Sequence, residues 1–192
     1  MKKIGLYFGS FNPVHIGHLS LADYLIDHKL VDELWFVVSP CNPLKQQSGL
    51  LDEHIRLKML NLAIIEKEKL KCSDIEFSMP IPSYTIDTLA VLSARFPCFQ
   101  FSLIIGSDNA LIFERWKSSQ EIIDRFPVLV YPRRGYDFEQ VASRFPQMQL
   151  LSTPYYDVSS TEIRQNIAEN KDVSKYLHPA VYRYVLENGL YR

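Results

Sequence analysis

Residues 4–18 read IGLYFGSFNPVHIGH, and the chain changes character twice within them. Ile4 to Phe8 is a short apolar run of strand type. Gly9, Ser10, Asn12 and Pro13 then break it: glycine tolerates a positive φ or the close approach of a ligand, and proline fixes φ and has no amide donor. From His15, the stretch HIGHLSLADYLIDHK has the spacing of a helix. Strand, glycine-bounded loop and helix in this order open a parallel α/β sheet, whose ligands bind beyond the carboxyl ends of the strands. The loop faces that crevice, and the helix start turns its unpaired N–H groups toward an anion, phosphate most of all.

The alternation continues. Leu34 to Val38, Ile75 to Phe77, Phe99 to Ile105, Val128 to Tyr131 and Met148 to Leu151 are the remaining candidate strands. ELWFVVS, FSLIIG and PVLVY are apolar at consecutive positions, as strands covered on both faces are. LDEHIRLKMLNLAIIEKE, YTIDTLAVLSARF, LIFERW, SSQEIID and FEQVASRF read as helices between them. The expected fold is a doubly wound α/β domain with a mostly parallel sheet, a single unit over 1–192 in which residues 159–192 form a closing helical segment. Pro40 to Gly49, PCNPLKQQSG, reads as a mobile loop.

With 192 residues, 47% of them hydrophobic, the chain can bury the core of one domain. Lys and Arg number 21 against 22 Asp and Glu, a net charge of -1, which gives no bulk attraction to nucleic acid or to an anionic membrane. A bound anion must therefore be held locally. Cys41, Cys72 and Cys98 form no C-x-x-C pair, so neither a disulfide framework nor a zinc site is indicated. No signal peptide and no apolar run of roughly 20 residues is present, and a cytoplasmic location is expected. Assembly into a homo-oligomer is compatible with the sequence but not specified by it.

His15 and His18 lie three residues apart, on one face of the first helical turn, where imidazoles can donate to phosphate oxygens. A single histidine there is ordinarily a cap or a surface residue, and H-x-x-H as a metal pair lacks a third ligand at a suggestive spacing. A second cluster is DVSSTEIR, residues 157–164. Ser159 with Glu162 fits a capping box, which accounts for those two residues. It does not account for consecutive hydroxyls, Ser160 and Thr161, followed one turn on by Arg164; these make a second anion cradle beside a charged fork. PSYTIDTL opens a helix, with Ser83 read as its N-cap. Trp116 has the spacing of a core aromatic, and Asp108 that of an N-cap for LIFERW. Arg133 ends a strand at the crevice.

GSFNPVHIGHL and VSSTEIR, in this order and near the two ends of the chain, resemble the paired signatures of the HxGH nucleotidyltransferase superfamily. Its members join a phosphate-bearing substrate to a nucleoside triphosphate and release pyrophosphate. Class I aminoacyl-tRNA synthetases share the HIGH sequence, but no lysine-serine signature follows here and the chain is short for tRNA-reading domains. Over nearly its full length the sequence is similar to bacterial nicotinate-nucleotide adenylyltransferases. The matching pieces are NPLK at 42–45, RLKML at 56–60, PSYTIDTL at 82–89, IIGSDNALIFERW at 104–116, PRRGY at 132–136 and GLYR at 189–192. Asn12 stands where Asp is usual, and Ser10 and Val14 are variable positions. PRRGY replaces the usual Arg-Pro-Gly order, so the resemblance carries Arg133 and leaves Arg134 unassigned.

The resemblance implies a Rossmann-like nucleotidyltransferase fold with C-terminal helices, in which the phosphate of nicotinate mononucleotide attacks the α-phosphorus of ATP. It assigns catalysis to His15, His18, Lys45 and Arg164, and ATP or phosphate binding to Gly9, Ser10, Phe11, Ser159, Ser160 and Arg133. Nicotinate mononucleotide falls to Ser83, Tyr84, Thr85, Asp108 and Trp116, with the helix-start amides holding the carboxylate, Trp116 stacking on the ring and Asp108 on a ribose hydroxyl. Mg²⁺ is carried by the ATP phosphates, with no protein metal site; nucleic acid and membrane are not partners. The rivals are an adenylyltransferase for phosphopantetheine or nicotinamide mononucleotide, a non-catalytic nucleotide sensor and a flavodoxin-like binding domain. PSYT and GSDNALIFERW weigh against the first, the intact His15, His18 and Arg164 against the second, and SSTEIR, which would be idle there, against the third.

Overall fold

The computed structural model describes residues 1–40 and 49–192. Six strands, β1 (Lys2–Gly9), β2 (Glu33–Val38), β3 (Leu70–Ser73), β4 (Phe99–Gly106), β5 (Val128–Tyr131) and β6 (Gln149–Leu150), form one sheet. Their order is β3-β2-β1-β4-β5-β6, and every pairing is parallel. The order reverses between β1 and β4, where a parallel sheet leaves a crevice beyond its strand ends. The loop after β1 opens there, with Gly9 level with Val38 and Tyr7 level with Ile104.

Eight helices cover the sheet: α1 (Ile16–Asp27), α2 (Glu53–Ile64), α3 (Thr85–Arg95), α4 (Ser107–Ala110), α5 (Ser119–Arg125), α6 (Phe138–Arg144), α7 (Ser160–Ala168) and α8 (Pro179–Glu187), counted among the described residues. The consecutive apolar positions of the central strands divide between two cores. Phe36, Val38, Ile104 and Leu129 pack under α1, α2, α7 and α8. Ile4, Leu6, Val37, Leu103 and Val130 pack under α3, α5 and α6. Strands buried on both faces need apolar side chains at every position, which is why these segments do not alternate. Among the described residues no helix is long and apolar enough to cross a membrane.

Two elements differ from the expectation. Ile75 to Phe77 is not a strand but part of a 3₁₀ turn, Ile75–Ser78, and the third strand is the more polar LKCS of β3. β3 pairs only with β2, at the sheet edge. An edge strand covered on one side needs an apolar residue only at every second position, here Leu70 and Cys72. LIFERW is not one helix: α4 stops at Ala110, and a 3₁₀ turn, Phe113–Arg115, leads to Trp116.

Candidate active site

A cavity of about 500 Å³ opens at the switch between β1 and β4. On one side it meets Gly9, Ser10, Phe11, Asn12, His15 and His18. Ser159, Ser160, Thr161 and Arg164 close a second side; Ser83, Tyr84, Thr85 and Trp116 form a third. Segments more than 140 positions apart in the sequence thus share one wall, and the two signatures touch directly. Ser160 Oγ donates to the Pro13 carbonyl at 2.9 Å, and Arg164 Nη1 to the Asn12 carbonyl at 2.8 Å. Cation-bearing Arg115, Lys117, Arg133 and Arg164 line the cavity, against the carboxylate of Glu76. A chain of net charge -1 therefore concentrates positive charge where an anion would sit.

The loop geometry corrects the reading of Gly9. Its φ is not positive; the left-handed residue is Phe11, at φ 46°. A Cβ on Gly9 would meet the Phe11 ring at 2.8 Å, so the glycine makes room for that ring. Phe11 is buried and packs edge-on against Tyr7, Phe36 and His18. Its side chain packs inward and so shapes the loop.

His15 is the N-cap of α1, and its ring stacks on that of His18 at 3.6 Å. The backbone N–H of His15 donates to His18 Nδ1 at 3.2 Å, so in a neutral imidazole at this position the proton sits on Nε2. His15 is buried, and its Nδ1 has no hydrogen-bond partner among the described residues. Burial, with the charge of Arg133 adding to it, pushes its pKa down to about 3. His15 is therefore an uncharged imidazole at neutral pH.

The acceptor-side residues are arranged differently from their sequence reading. Tyr84, not Ser83, is the N-cap of α3, and no side chain caps that helix. Ser83 Oγ instead donates to Glu76 Oε2 at 2.8 Å, and Thr88 Oγ1 donates to Glu76 Oε1 at 2.8 Å. The first amides of α3 receive no side-chain cap among the described residues. Asp108 lies in the first turn of α4 rather than at its N-cap, Gly106, and it pairs with Arg133 at 3.2 Å. Trp116 lines the cavity with its indole N–H buried and unpartnered among the described residues. Ser159 is the N-cap of α7, accepting from the Glu162 N–H at 3.2 Å and donating to the Glu162 carboxylate at 2.9 Å; the return bond of a capping box, from the Ser159 N–H to the Glu162 side chain, is not made among the described residues. Lys45 lies outside the described residues.

Two supporting residues escaped the sequence reading. Glu76, only 2% exposed, holds Ser83 and Thr88; nothing in IEF marks it. Arg56 is fully buried and, among the described residues, donates only to backbone carbonyls: Leu51 at 2.8 Å, Ser10 at 2.7 Å, Ser39 at 2.8 Å and Pro40 at 3.1 Å. It ties the loop after β1 to the chain leaving β2. A signal was present, because Arg56 stands in the stripe that Met59, Leu60 and Ala63 continue into the core.

Comparison with known proteins agrees with this geometry. The family model described as cytidylyltransferase-like matches residues 6–166. A protein of Bacteroides fragilis named probable nicotinate-nucleotide adenylyltransferase is 44% identical over 185 residues, 96% of this chain and 92% of its own. One of the same name from Flavobacterium psychrophilum is 42% identical, with 99% of each chain covered. In fold, the chain is similar to the Plasmodium falciparum nicotinic acid mononucleotide adenylyltransferase solved with NaAD, with a TM-score of 0.85 at 24% identity, covering 100% of this chain and 98% of that one. With both signatures closing on one cavity at the switch of a parallel sheet, the chain belongs to the cytidylyltransferase-like family and, within it, to the nicotinate-nucleotide adenylyltransferases.

Proposed function

We infer that the enzyme joins nicotinate mononucleotide to the adenylyl group of ATP, forming nicotinate adenine dinucleotide and pyrophosphate. The observation that carries this reading is the meeting of three helix starts, α1, α7 and α3, around one cation-lined cavity. Two of them serve the phosphates of ATP. The third, uncapped, serves the carboxylate of the acceptor, so that charge selects the acid over the amide.

The reaction needs little base catalysis, because a phosphate monoester has its second pKa near about 6 and is mostly ionised at neutral pH. The protein must align two polyanions and neutralise charge on the transferring and leaving groups. His18 donates from Nε2 to the α-phosphate, and His15 supplies an uncharged imidazole beside it. Arg164 and Lys45 hold the β- and γ-phosphates, with the amides around Gly9, Ser10, Ser159 and Ser160. Arg133, already paired with Asp108, meets a nucleotide phosphate, while Asp108 accepts from a ribose hydroxyl and Trp116 stacks on the pyridine ring. A divalent cation, Mg²⁺, enters with ATP as part of the substrate and shields its charge.

The test is pyrophosphate release from MgATP with nicotinate mononucleotide, nicotinamide mononucleotide and phosphopantetheine at equal concentration. Strong preference for the nicotinate form is the expected result. Equal or better turnover of either other acceptor overturns the assignment of α3, and absence of turnover with all three, despite ATP binding, overturns the reaction.

A further inference from the structure

The GLYR stretch at 189–192 has no part in the mechanism above, yet the structure leads it to the phosphate loop. α8 ends in a Schellman turn: Gly189, at φ 57°, donates to the Leu186 carbonyl at 3.2 Å, and Leu190 to that of Val185 at 3.0 Å. The turn reverses the chain. Tyr191 follows with φ 66°, a left-handed conformation that a side chain adopts only where its surroundings hold it. Its ring packs against the core, and its hydroxyl reaches Asn12. The Tyr191 hydroxyl donates to Asn12 Oδ1 at 2.8 Å across 179 positions of sequence.

Asn12 is the junction of this wall. Only 4% exposed, it donates from Nδ2 to the Gly49 carbonyl at 2.8 Å, and its Oδ1 also accepts from the Leu51 N–H at 3.4 Å. Its own carbonyl takes the Arg164 guanidinium. The orientation of that carbonyl, and so of Arg164, depends on how the Asn12 side chain is held. Burial also keeps the Tyr191 phenol protonated, its pKa raised well above the usual value, so it remains a donor at working pH.

We propose that Tyr191 is a positioning residue for the triphosphate side of the site, its hydroxyl holding Asn12, and through it the β1–α1 loop and Arg164, in the arrangement that binds ATP. The proposal rests on the reading of this wall as the ATP side. It specifies an effect on one substrate and not the other, since no residue of the α3 wall hydrogen-bonds to Asn12 or Tyr191 among the described residues.

The experiment measures ATP affinity by titration calorimetry in the presence of Mg²⁺ and without acceptor, for the wild type, Tyr191→Phe, Asn12→Ala and the double variant, at a temperature where circular dichroism shows all four folded. Loss of one such hydrogen bond should weaken ATP binding roughly three- to tenfold in Tyr191→Phe. The double variant should bind no worse than Asn12→Ala alone, and KM for nicotinate mononucleotide should not move. Unchanged ATP affinity in Tyr191→Phe, losses that multiply in the double variant, or an equal rise in KM for the acceptor would each overturn the proposal, as would a wild type without ATP affinity. A wild type that binds ATP, with the expected losses in the variants, but does not turn over nicotinate mononucleotide would overturn the proposed function and leave this inference standing.

Discussion

At the scale of the residue, burial sets the stacked histidines apart: His15 is buried and His18 only partly so. His15, buried and held neutral, gives up stability in acid: the unfolded chain takes up a proton below about pH 6.5, while the folded one resists until its pKa near 3. The contribution is complete above the unfolded value and is lost as pH falls between the two, by at most about 1.4 kcal/mol per pH unit. Urea unfolding at pH 6 and pH 4 should therefore show a steeper loss for the wild type than for His15→Gln; parallel loss would place His15 in contact with solvent. His18 carries the chemistry in our reading. His18→Ala should keep its circular dichroism and lose about 2–4 kcal/mol of transition-state stabilisation, read in kcat. An active variant would move the role elsewhere. Both histidines were readable from the i, i+3 spacing, whereas the neutral state of His15 was not, because it comes from burial and from Arg133, 118 positions away.

Among the elements, α2 contributes to the site although it supplies no group to the substrates in our reading. Its Arg56 donates to four backbone carbonyls and so joins the ends of two loops. Arg56→Met would remove all four hydrogen bonds and should cost about 3 kcal/mol or more in urea unfolding. Arg56→Lys should recover only part, since an ammonium lacks the planar fork. α8 shows the same economy at its end, where Gly189 has open space around its missing Cβ and yet needs a left-handed φ. Gly189→Ala should cost about 1–2 kcal/mol from conformation alone, seen as a lower Tm. The ends of α7 and α3 show where local reading works. Ser159 and Glu162 lie three apart and bond to each other, so this N-cap is visible in sequence; Ser83 is drawn from its helix by Glu76, a partner the helix's own sequence does not contain.

On the scale of the whole molecule, the sheet order brings residues 9–18 and 159–164 to one edge of one cavity, and Arg164 spans the join. ATP bound there should stabilise the fold by about 2.7 kcal/mol at a hundredfold excess over its Kd. In Arg164→Ala, thermal unfolding at the same ATP concentration should show most of that rise in Tm gone, and an undiminished rise would remove Arg164 from the nucleotide.

By itself the sequence determined the doubly wound class, the loop after the first strand and the two signatures. These depend on period, composition and short spacing, which neighbours along the chain dictate. It missed β3, whose edge position lets a polar segment serve, and took IEF for a strand because apolarity alone does not tell a strand from a buried turn. Only the tertiary structure decided the partners: Asp108 with Arg133, Ser83 with Glu76, Arg56 with its carbonyls and Tyr191 with Asn12. They join groups from 5 to 179 positions apart. Their meeting depends on which strands lie side by side, and a buried polar group accepts whichever partner the packed sheet brings within reach.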